Sequence, residues 1–383
     1  MKAPLHSSFD GMPRVLTMAR VTVVGAGIAG LTAALYATTA GHHVVVLDRT
    51  DRLGGRGTSQ TIDGIPFGYG PHLLDRKGPL AQVTKKVSRL KMALASPRLD
   101  RLFVTGVGPL RPRNDVKQAA QLRRELKHHQ PESEAVKGAN LLASMGHSPP
   151  SSYRLKALTS SKLSLVGEGW AGIVGRMAAA LDEVGVLIEP NCNVTAVHEG
   201  QVSLEDGRSF QSDVVILACG AHTARHLLNE VSPALLDSIK PLKASTLDIL
   251  LDSKPLSTKH GVMDASEGAV LLELSNIQSR FNVQGSLLSA ALFARDGEGH
   301  EAREERLLAF VDQHATGWQH HVIHERRQRN ITVQTQGDKP PFDALKEDGI
   351  LLAGEWVKSE SMLSDAAAET GRKAGQNISS ALS

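Results

Sequence analysis

Gly25, Gly27 and Gly30 form a G-x-G-x-x-G pattern directly after the β-branched run Val21–Val24 and before the apolar or small stretch Ile28–Ala40. A buried parallel strand is nearly continuous in apolar residues, and a helix lying on a sheet has the composition of Ile28–Ala40. The glycines therefore fall on a strand-to-helix turn, and Gly41 stands where the helix should stop. Each glycine has a task there. Gly25 allows the tight turn, Gly27 lets a pyrophosphate approach the backbone, and Gly30 lets helix and strand pack closely. The helix start, with the N–H groups of Ile28 and Ala29 and the positive end of the helix dipole, suits phosphate oxygens. Asp48 ends the next strand, Val44–Leu47, 23 residues after Gly25, where a carboxylate can accept from ribose hydroxyls. Arg49 follows it and joins the same set.

Residues Asp51 to Ser59 (DRLGGRGTS) add a second glycine doublet between arginines. A nicotinamide site does not need one. A flavin held in an extended pose does, because backbone must come close to its phosphates and ribityl chain, and only glycine permits that. In these residues the sequence resembles the superfamily of flavin amine oxidases, phytoene desaturases and protoporphyrinogen oxidases. That superfamily pairs the dinucleotide fingerprint with R-x-G-G-R-x-x-[ST], matched here by Arg52, Gly54, Gly55, Arg56 and Ser59. Asp48 stands where the family usually has Glu. The stretch Ile62–Leu74, with Gly70-Pro71-His72, is similar to the family's segment after the doublet.

The resemblance implies an α/β (α+β) fold, with a Rossmann-like FAD-binding domain and a discontinuous substrate domain of mixed sheet and helices. It implies FAD as cofactor, and no Cys or His beside the doublet marks a covalent attachment. It further implies that the strand holding Val194 and Val197 lies against the adenine, and that Glu355, after Gly354, hydrogen-bonds the ribityl chain. A final helix from near Ser364-Asp365 would point its N-terminus at flavin N1 and O2, which brings Asp365 and Ala366 into the cofactor set. Reduced flavin is negative at that edge, and a helix dipole stabilises it. The Asp365 side chain is expected to turn away from the ring and cap its own helix.

These residues need three separated stretches to bring them together. Residues 20–80, 161–235 and 341–383 read as the cofactor domain, leaving 81–160 and 236–340 for the substrate domain. In the second cofactor stretch, Leu165–Trp170 reads as a glycine-rich turn before a helix, Ile173–Glu183. Val202–Leu204 and Ser209–Gln211 read as a hairpin around Asp206-Gly207. In the substrate part, Ser245–Leu251, Ala269–Leu274 and Ser286–Ala294 have strand composition, and Glu301–His314 is a charged amphipathic helix. Residues 1–19 lack the apolar core of a secretory signal and read as a flexible leader.

Net charge is +3, too small for a nucleic-acid partner, and the two cysteines, Cys192 and Cys219, form no C-x-x-C pair. A reduced, cytoplasmic compartment follows as the default. The histidines between His300 and His324 show no helix pair with a third ligand, so no metal site is expected. Between Arg111 and Gln130 there are six Lys or Arg against two Asp or Glu. This is either a solvated helical face or a basic surface that rests on anionic lipid.

For the substrate, Ser359–Ser364 has no Tyr or Phe where amine oxidases of this family keep an aromatic residue. Thr246–Leu251 has no lysine where they commonly hold one near the flavin. Met362 and Leu363 fit an apolar substrate, as in relatives that desaturate isoprenoids. The reading is an FAD-dependent oxidoreductase that removes a hydride from a largely apolar small molecule. Two alternatives stay open, an amine oxidase with a rebuilt substrate cage and a catalytically silent FAD-binding protein.

Overall fold

The computed structural model describes residues 18–87, 91–198, 200–281 and 283–382. The stretch 1–17, read above as leader, lies outside the described residues. Ala19 is not leader: it is buried, its N–H donates to His42 Nδ1 at 3.3 Å, and its carbonyl accepts from His43 N–H at 2.9 Å.

A five-stranded parallel sheet carries the glycine turn. Its strands are β1 (Arg20–Val24), β2 (His43–Leu47), Leu187–Glu189, Val214–Leu217 and Ile350–Leu352. In space the order is Leu187–Glu189, β2, β1, Val214–Leu217, Ile350–Leu352. Side chains alternate across the sheet, as strand geometry requires. Val23, Ile216 and Leu351 face a core shared with helix α1 (Ile28–Thr39) and the last helix, Leu363–Gln376. Val24, Leu217 and Leu352 face the opposite core, which the antiparallel strands Val194–His198 and Gln201–Leu204 close with Val194, Val197 and Val202.

The second sheet has seven strands. From one edge they run Val322–Gln336, Lys240–Leu251, Ser286–Phe293, Ala269–Glu273, Gly261–Asp264, Leu102–Val104 and Gly108–Pro109. Along Lys240–Leu251 the period of two again divides the side chains. Leu247, Ile249 and Leu251 pack on the His300–His314 helix. Ala244 and Leu250 face a core with the helices Val116–His128, Glu134–Ser144 and Ser152–Thr159. Thr246 and Asp248 share that second face.

The structure differs from the sequence reading at three places. The helix Pro79–Val87 buries Leu80, Ala81 and Val83 in the core of the parallel sheet, so a boundary at residue 80 would cut a packed helix. Leu163–Val166 is a strand rather than part of a turn, and Gly169, at φ +66°, opens the Gly169–Glu183 helix four residues before Ile173. The strands Gly261–Asp264 and Leu102–Val104 carry too little period-two pattern to be read from sequence, because each is only three or four residues long. No described helix is long and apolar enough to cross a membrane.

Candidate cofactor site

The fingerprint glycines divide by what requires them. A Cβ on Gly30 would lie 1.8 Å from the Gly25 carbonyl oxygen, and one on Gly25 would lie 2.9 Å from that of Ala218, with φ already at +109°. The chain's own packing demands glycine at both. Gly27 is different. Its φ is −74°, open to any residue, and nothing comes nearer than 4.0 Å to a Cβ placed there. Neither conformation nor internal packing requires glycine at Gly27, so the space above it suits a bulky group brought from outside. Gly27 is also the N-cap of α1, with no side chain capping the helix and no acid in its first turn. The N–H groups at the start of such a helix have no partner within it, which leaves Ile28 and Ala29 as donors for an anion.

The second glycine doublet lies directly on the first. Gly54 pairs with Gly27 in a parallel bridge, and Gly54 N–H donates to the Ala26 carbonyl at 2.9 Å. Gly54 adopts φ +96° and Gly55 +55°, and a Cβ on Gly55 would stand 3.5 Å from Gly27 Cα. Ser59 Oγ accepts from Ala171 N–H at 2.9 Å, tying the loop to the first turn of the Gly169–Glu183 helix.

Asp48 serves the turn itself. Its Oδ2 accepts from Ala26 N–H at 2.7 Å, and its Oδ1 from the Thr50 N–H and hydroxyl at 2.9 and 2.8 Å. Two carboxylate oxygens carry about four lone-pair sites, so one remains for a ribose hydroxyl. Arg49 is exposed beside it. Val194 reaches this end of the sheet because Cys192 N–H donates to the Asp48 carbonyl at 2.7 Å. Its side chain is buried with Val24 and Leu47.

At the other end stands Glu355, buried and crowded with donors. Arg56 Nη2 reaches its Oε1 at 3.0 Å, while the Thr335 N–H and hydroxyl both reach Oε2 at 2.9 Å. Lys339 Nζ lies 3.6 Å from Oε2 and donates to the Glu355 carbonyl at 2.6 Å. Burial alone would raise its pKa, but Arg56, Lys339 and Thr335 outweigh that and hold the carboxyl below the ordinary glutamate range. The sequence reading gave Glu355 to a ribityl chain. In the structure its first office is to anchor Arg56, whose Nη1 also reaches the Val333 carbonyl at 3.1 Å. Gly354, at φ +152°, is held by Thr370 of the last helix, with N–H to Oγ1 at 2.9 Å.

Asp365 corrects its expectation. The carboxylate is buried and does not cap its own helix, whose N-cap is Met362 with no side-chain cap. It accepts instead from Leu80 N–H at 3.2 Å, in the first turn of Pro79–Val87, and pairs with buried Arg154 at 3.4 Å. Burial pushes its pKa up to about 6, against the pull of Arg154. Ala366 is buried and its N–H is taken by the Met362 carbonyl at 3.3 Å. The donors left at this helix start belong to Leu363, Ser364 and Asp365, and Leu363 takes φ +57°, rare for a bulky residue. Trp356, the aromatic residue directly after Glu355, is fully buried, with Nε1 bonded to the Cys219 carbonyl at 2.9 Å. Desolvation drives the Cys219 thiol up to about 12, away from the reactive thiolate.

Two residues missed by the sequence reading sit between the sheets. Asp248 accepts from Gly70 N–H at 3.0 Å and from Ser289 Oγ at 2.5 Å, and burial raises its pKa to about 7. Its signal was present in the sequence as one acid inside an apolar strand, Leu247–Leu251. Arg326, its cross-strand neighbour, lies 4.0 Å over the Tyr69 ring, and Arg52 stacks on the same ring at 4.9 Å.

Comparison with known proteins agrees with this geometry. The family described as FAD dependent oxidoreductase matches residues 20–271. Among curated relatives, a phytoene desaturase (neurosporene-forming) of Rhodobacter capsulatus is 47% identical over 57 residues, 15% of this chain and 11% of that protein. An L-amino-acid oxidase of Siganus canaliculatus is 49% identical over 52 residues, 14% of this chain and 10% of that one. The matches to these relatives thus span about a tenth of their length. Among solved structures, an oxidoreductase from Methanosarcina mazei superposes with a TM-score of 0.73 at 16% identity, covering 92% of this chain and 99% of its own. That likeness is one of fold.

Proposed function

The chain belongs to the FAD dependent oxidoreductases, and on that premise we propose that it removes a hydride from a largely apolar small molecule. Bound FAD supplies the hydride acceptor. The chain's own residues bind and orient it. Gly25, Gly27, Ile28, Ala29 and Gly30 receive the pyrophosphate, Asp48 the ribose, and Arg49 and Val194 border the adenosine end. Gly54, Gly55 and Arg56 form the second wall, with Arg56 positioned by Glu355. Gly354 fixes the last helix, and the start of that helix, at Leu363, Ser364 and Asp365 just before Ala366, offers backbone donors at the far end.

The observation that carries the cofactor reading is the open space at Gly27. A second supports one extended ligand. The last helix runs parallel to α1, because Gly371 meets Ala29 and Gly375 meets Ala33. Leu363 lies eight residues before Gly371, so this helix starts roughly 12 Å beyond the level of Ala29, at about 1.5 Å per residue. Two helix N-termini facing the same way with that offset suit the two ends of an extended dinucleotide.

The choice of an apolar substrate rests on Trp356 being turned into the core, which leaves Met362 and Leu363 beside the helix start. Arg52 and Arg326 around Tyr69 add positive charge, which disfavours a cationic amine. The parallel-sheet segments form the cofactor-binding part, and the seven-stranded sheet faces the substrate. The basic helix Val116–His128 is a surface for anionic lipid, through which an apolar substrate would arrive.

The test is anaerobic reduction of the purified holoenzyme by a panel of polyenes and amines. Bleaching of the flavin band by polyenes alone is expected. Bleaching by amines alone would transfer the chain to C–N oxidation, and no bleaching by any member would favour a scaffold role.

A further inference from the structure

Arg326 and Arg52 come from different halves of the molecule to one aromatic ring. Arg326, on the strand Val322–Gln336 of the seven-stranded sheet, lies 4.0 Å over the Tyr69 ring and 4.8 Å over that of Phe67. Its Nη1 and Nη2 donate to the Gly68 and Phe67 carbonyls at 3.0 and 3.3 Å. Arg52, just before the second glycine doublet, stands 4.9 Å from the Tyr69 ring centre and donates through Nη1 to the Tyr69 hydroxyl. A ring attracts exposed cations only weakly, and two guanidiniums at one ring repel each other.

No carboxylate of the chain compensates them. Among the described residues neither arginine makes a salt bridge. Glu325, next to Arg326, pairs with Arg327. Asp248, the cross-strand neighbour of Arg326, is buried, and burial raises its pKa to about 7, so at neutral pH it offers Arg326 only part of a charge. Both cations are within reach of a ligand, since Arg52 is exposed and Arg326 and Tyr69 are half-buried. Two rings and two carbonyls already hold Arg326, which leaves it little side-chain freedom to lose on binding. Most N–H donors of the two guanidiniums are uncommitted, and such forks match the paired oxygens of a carboxylate or phosphate. Gly70, next to Tyr69, is fastened to Asp248 at 3.0 Å, which sets this ring against the sheet. The strand of Arg326 also gives its Val333 carbonyl to Arg56, so the pair adjoins the second glycine loop.

We propose that Arg52 and Arg326, gathered at Tyr69, form a subsite for an anionic oxygen head group, a carboxylate or a phosphate, at one end of an otherwise apolar substrate. The proposal rests on the reading that the seven-stranded sheet faces an apolar substrate, and narrows that substrate to an amphiphilic acid.

The test is calorimetric titration of the full-chain holoenzyme with decanoate, decyl phosphate and decanol, which measures head-group binding without turnover. Wild type should bind at least one of the two anions about tenfold or more tighter than decanol. Which anion is favoured identifies the head group, and the preference should shrink at about 0.5 M salt, which screens exposed charges. Arg52→Gln and Arg326→Gln should each weaken the favoured anion about tenfold and leave decanol unchanged, while Arg326→Lys should keep part of the affinity. Because Arg326 also ties down the Phe67 and Gly68 carbonyls, Arg52→Gln, at an exposed side chain, decides the matter. Wild-type affinity for both anions in that variant would overturn the proposal, as would equal affinity of wild type for anions and decanol. Loss of FAD from Arg52→Gln would assign the pair to the cofactor and overturn it as well. Selective anion binding by a holoenzyme that no polyene bleaches would keep the subsite and overturn the hydride reading alone.

Discussion

Gly27 and Gly30 are both glycines of one motif, and they fail in different ways when replaced. A side chain on Gly30 collides with the Gly25 carbonyl, backbone against backbone, so Gly30→Ala should reduce folded yield with or without FAD. Gly27→Val meets open space, so the chain should fold with near wild-type urea resistance yet lose FAD by more than about 100-fold, because the valine occupies the pyrophosphate's place. Equal loss of folding in both variants would show that Gly27 is structural. Asp248 makes a prediction in pH. Its folded pKa, about 7, exceeds the ordinary value near 4, so the folded protein holds that proton more tightly than the unfolded chain. Its contribution to stability is full below pH about 4 and is lost as pH rises through about 7. Asp365 is shifted in the same direction and Glu355 in the opposite one, so the informative quantity is the difference between Asp248→Asn and wild type. The amide can still accept from Gly70 N–H and meet the Ser289 hydroxyl. Relative to wild type, the variant should gain about 2–4 kcal/mol between pH 4 and pH 8 in urea unfolding; a difference that does not vary with pH would clear the carboxyl of this role.

On the proposed cofactor reading, the last helix sets the spacing between the two ends of the site. Its Gly371 and Gly375 let the backbone approach α1 closely, and a Cβ on Gly371 would lie 2.3 Å from the Ala29 carbonyl oxygen. Gly371→Ala must therefore push the helices apart, at a cost of about 1–3 kcal/mol, and should loosen FAD as well, because both helix starts move. Gly175, exposed on the Gly169–Glu183 helix, meets nothing within 4 Å, so Gly175→Ala should stabilise by about 0.5–1 kcal/mol. Thermal melts and FAD titration of the pair decide the matter, since a loss at Gly175 equal to that at Gly371 would refute the packing argument. The elements themselves were legible wherever side-chain periodicity and turn residues agreed. β1, α1, β2 and the Ser209–Gln211 hairpin strand appear within a residue or two of the boundaries read from sequence. What stayed hidden was long-range. Nothing near Asp365 in sequence announces Arg154, 211 residues away, and nothing near Glu355 announces that Arg56, 299 residues away, will pair with it. The spacing of Gly371 and Gly375 was visible, but its meaning depended on which helix lay beneath.

At the scale of the whole molecule the parallel sheet joins β1 and β2 to Leu187–Glu189, Val214–Leu217 and Ile350–Leu352, so no contiguous piece of chain completes the site. The helices between these segments are free to face outward, and Val116–His128 does so in an unusual way. Leu122 and Leu126 hold it to the core, while Lys117, Arg123, Arg124 and Lys127 are exposed and Val116 is 82% exposed at its start. The nearby acids are spent elsewhere: Asp115 caps the helix through Gln118 N–H, and Glu125 accepts from Ser133 and Gln121. Among the described residues these four cations make no salt bridge, so their field points outward. Each basic residue at an anionic membrane surface contributes about 1 kcal/mol. The holoenzyme should therefore sediment with phosphatidylserine-containing vesicles at low salt, stay free of pure phosphatidylcholine vesicles, and be released at 0.5 M salt, an ionic strength chosen to screen such attraction. Reversing Arg123, Arg124 and Lys127 to Glu should lower vesicle affinity by about 100-fold or more with the flavin spectrum unchanged, since the helix lies outside the cofactor core. Wild-type protein that ignores anionic vesicles at low salt would make this face an ordinary solvated one, and an apolar substrate would then have to reach the flavin by another route.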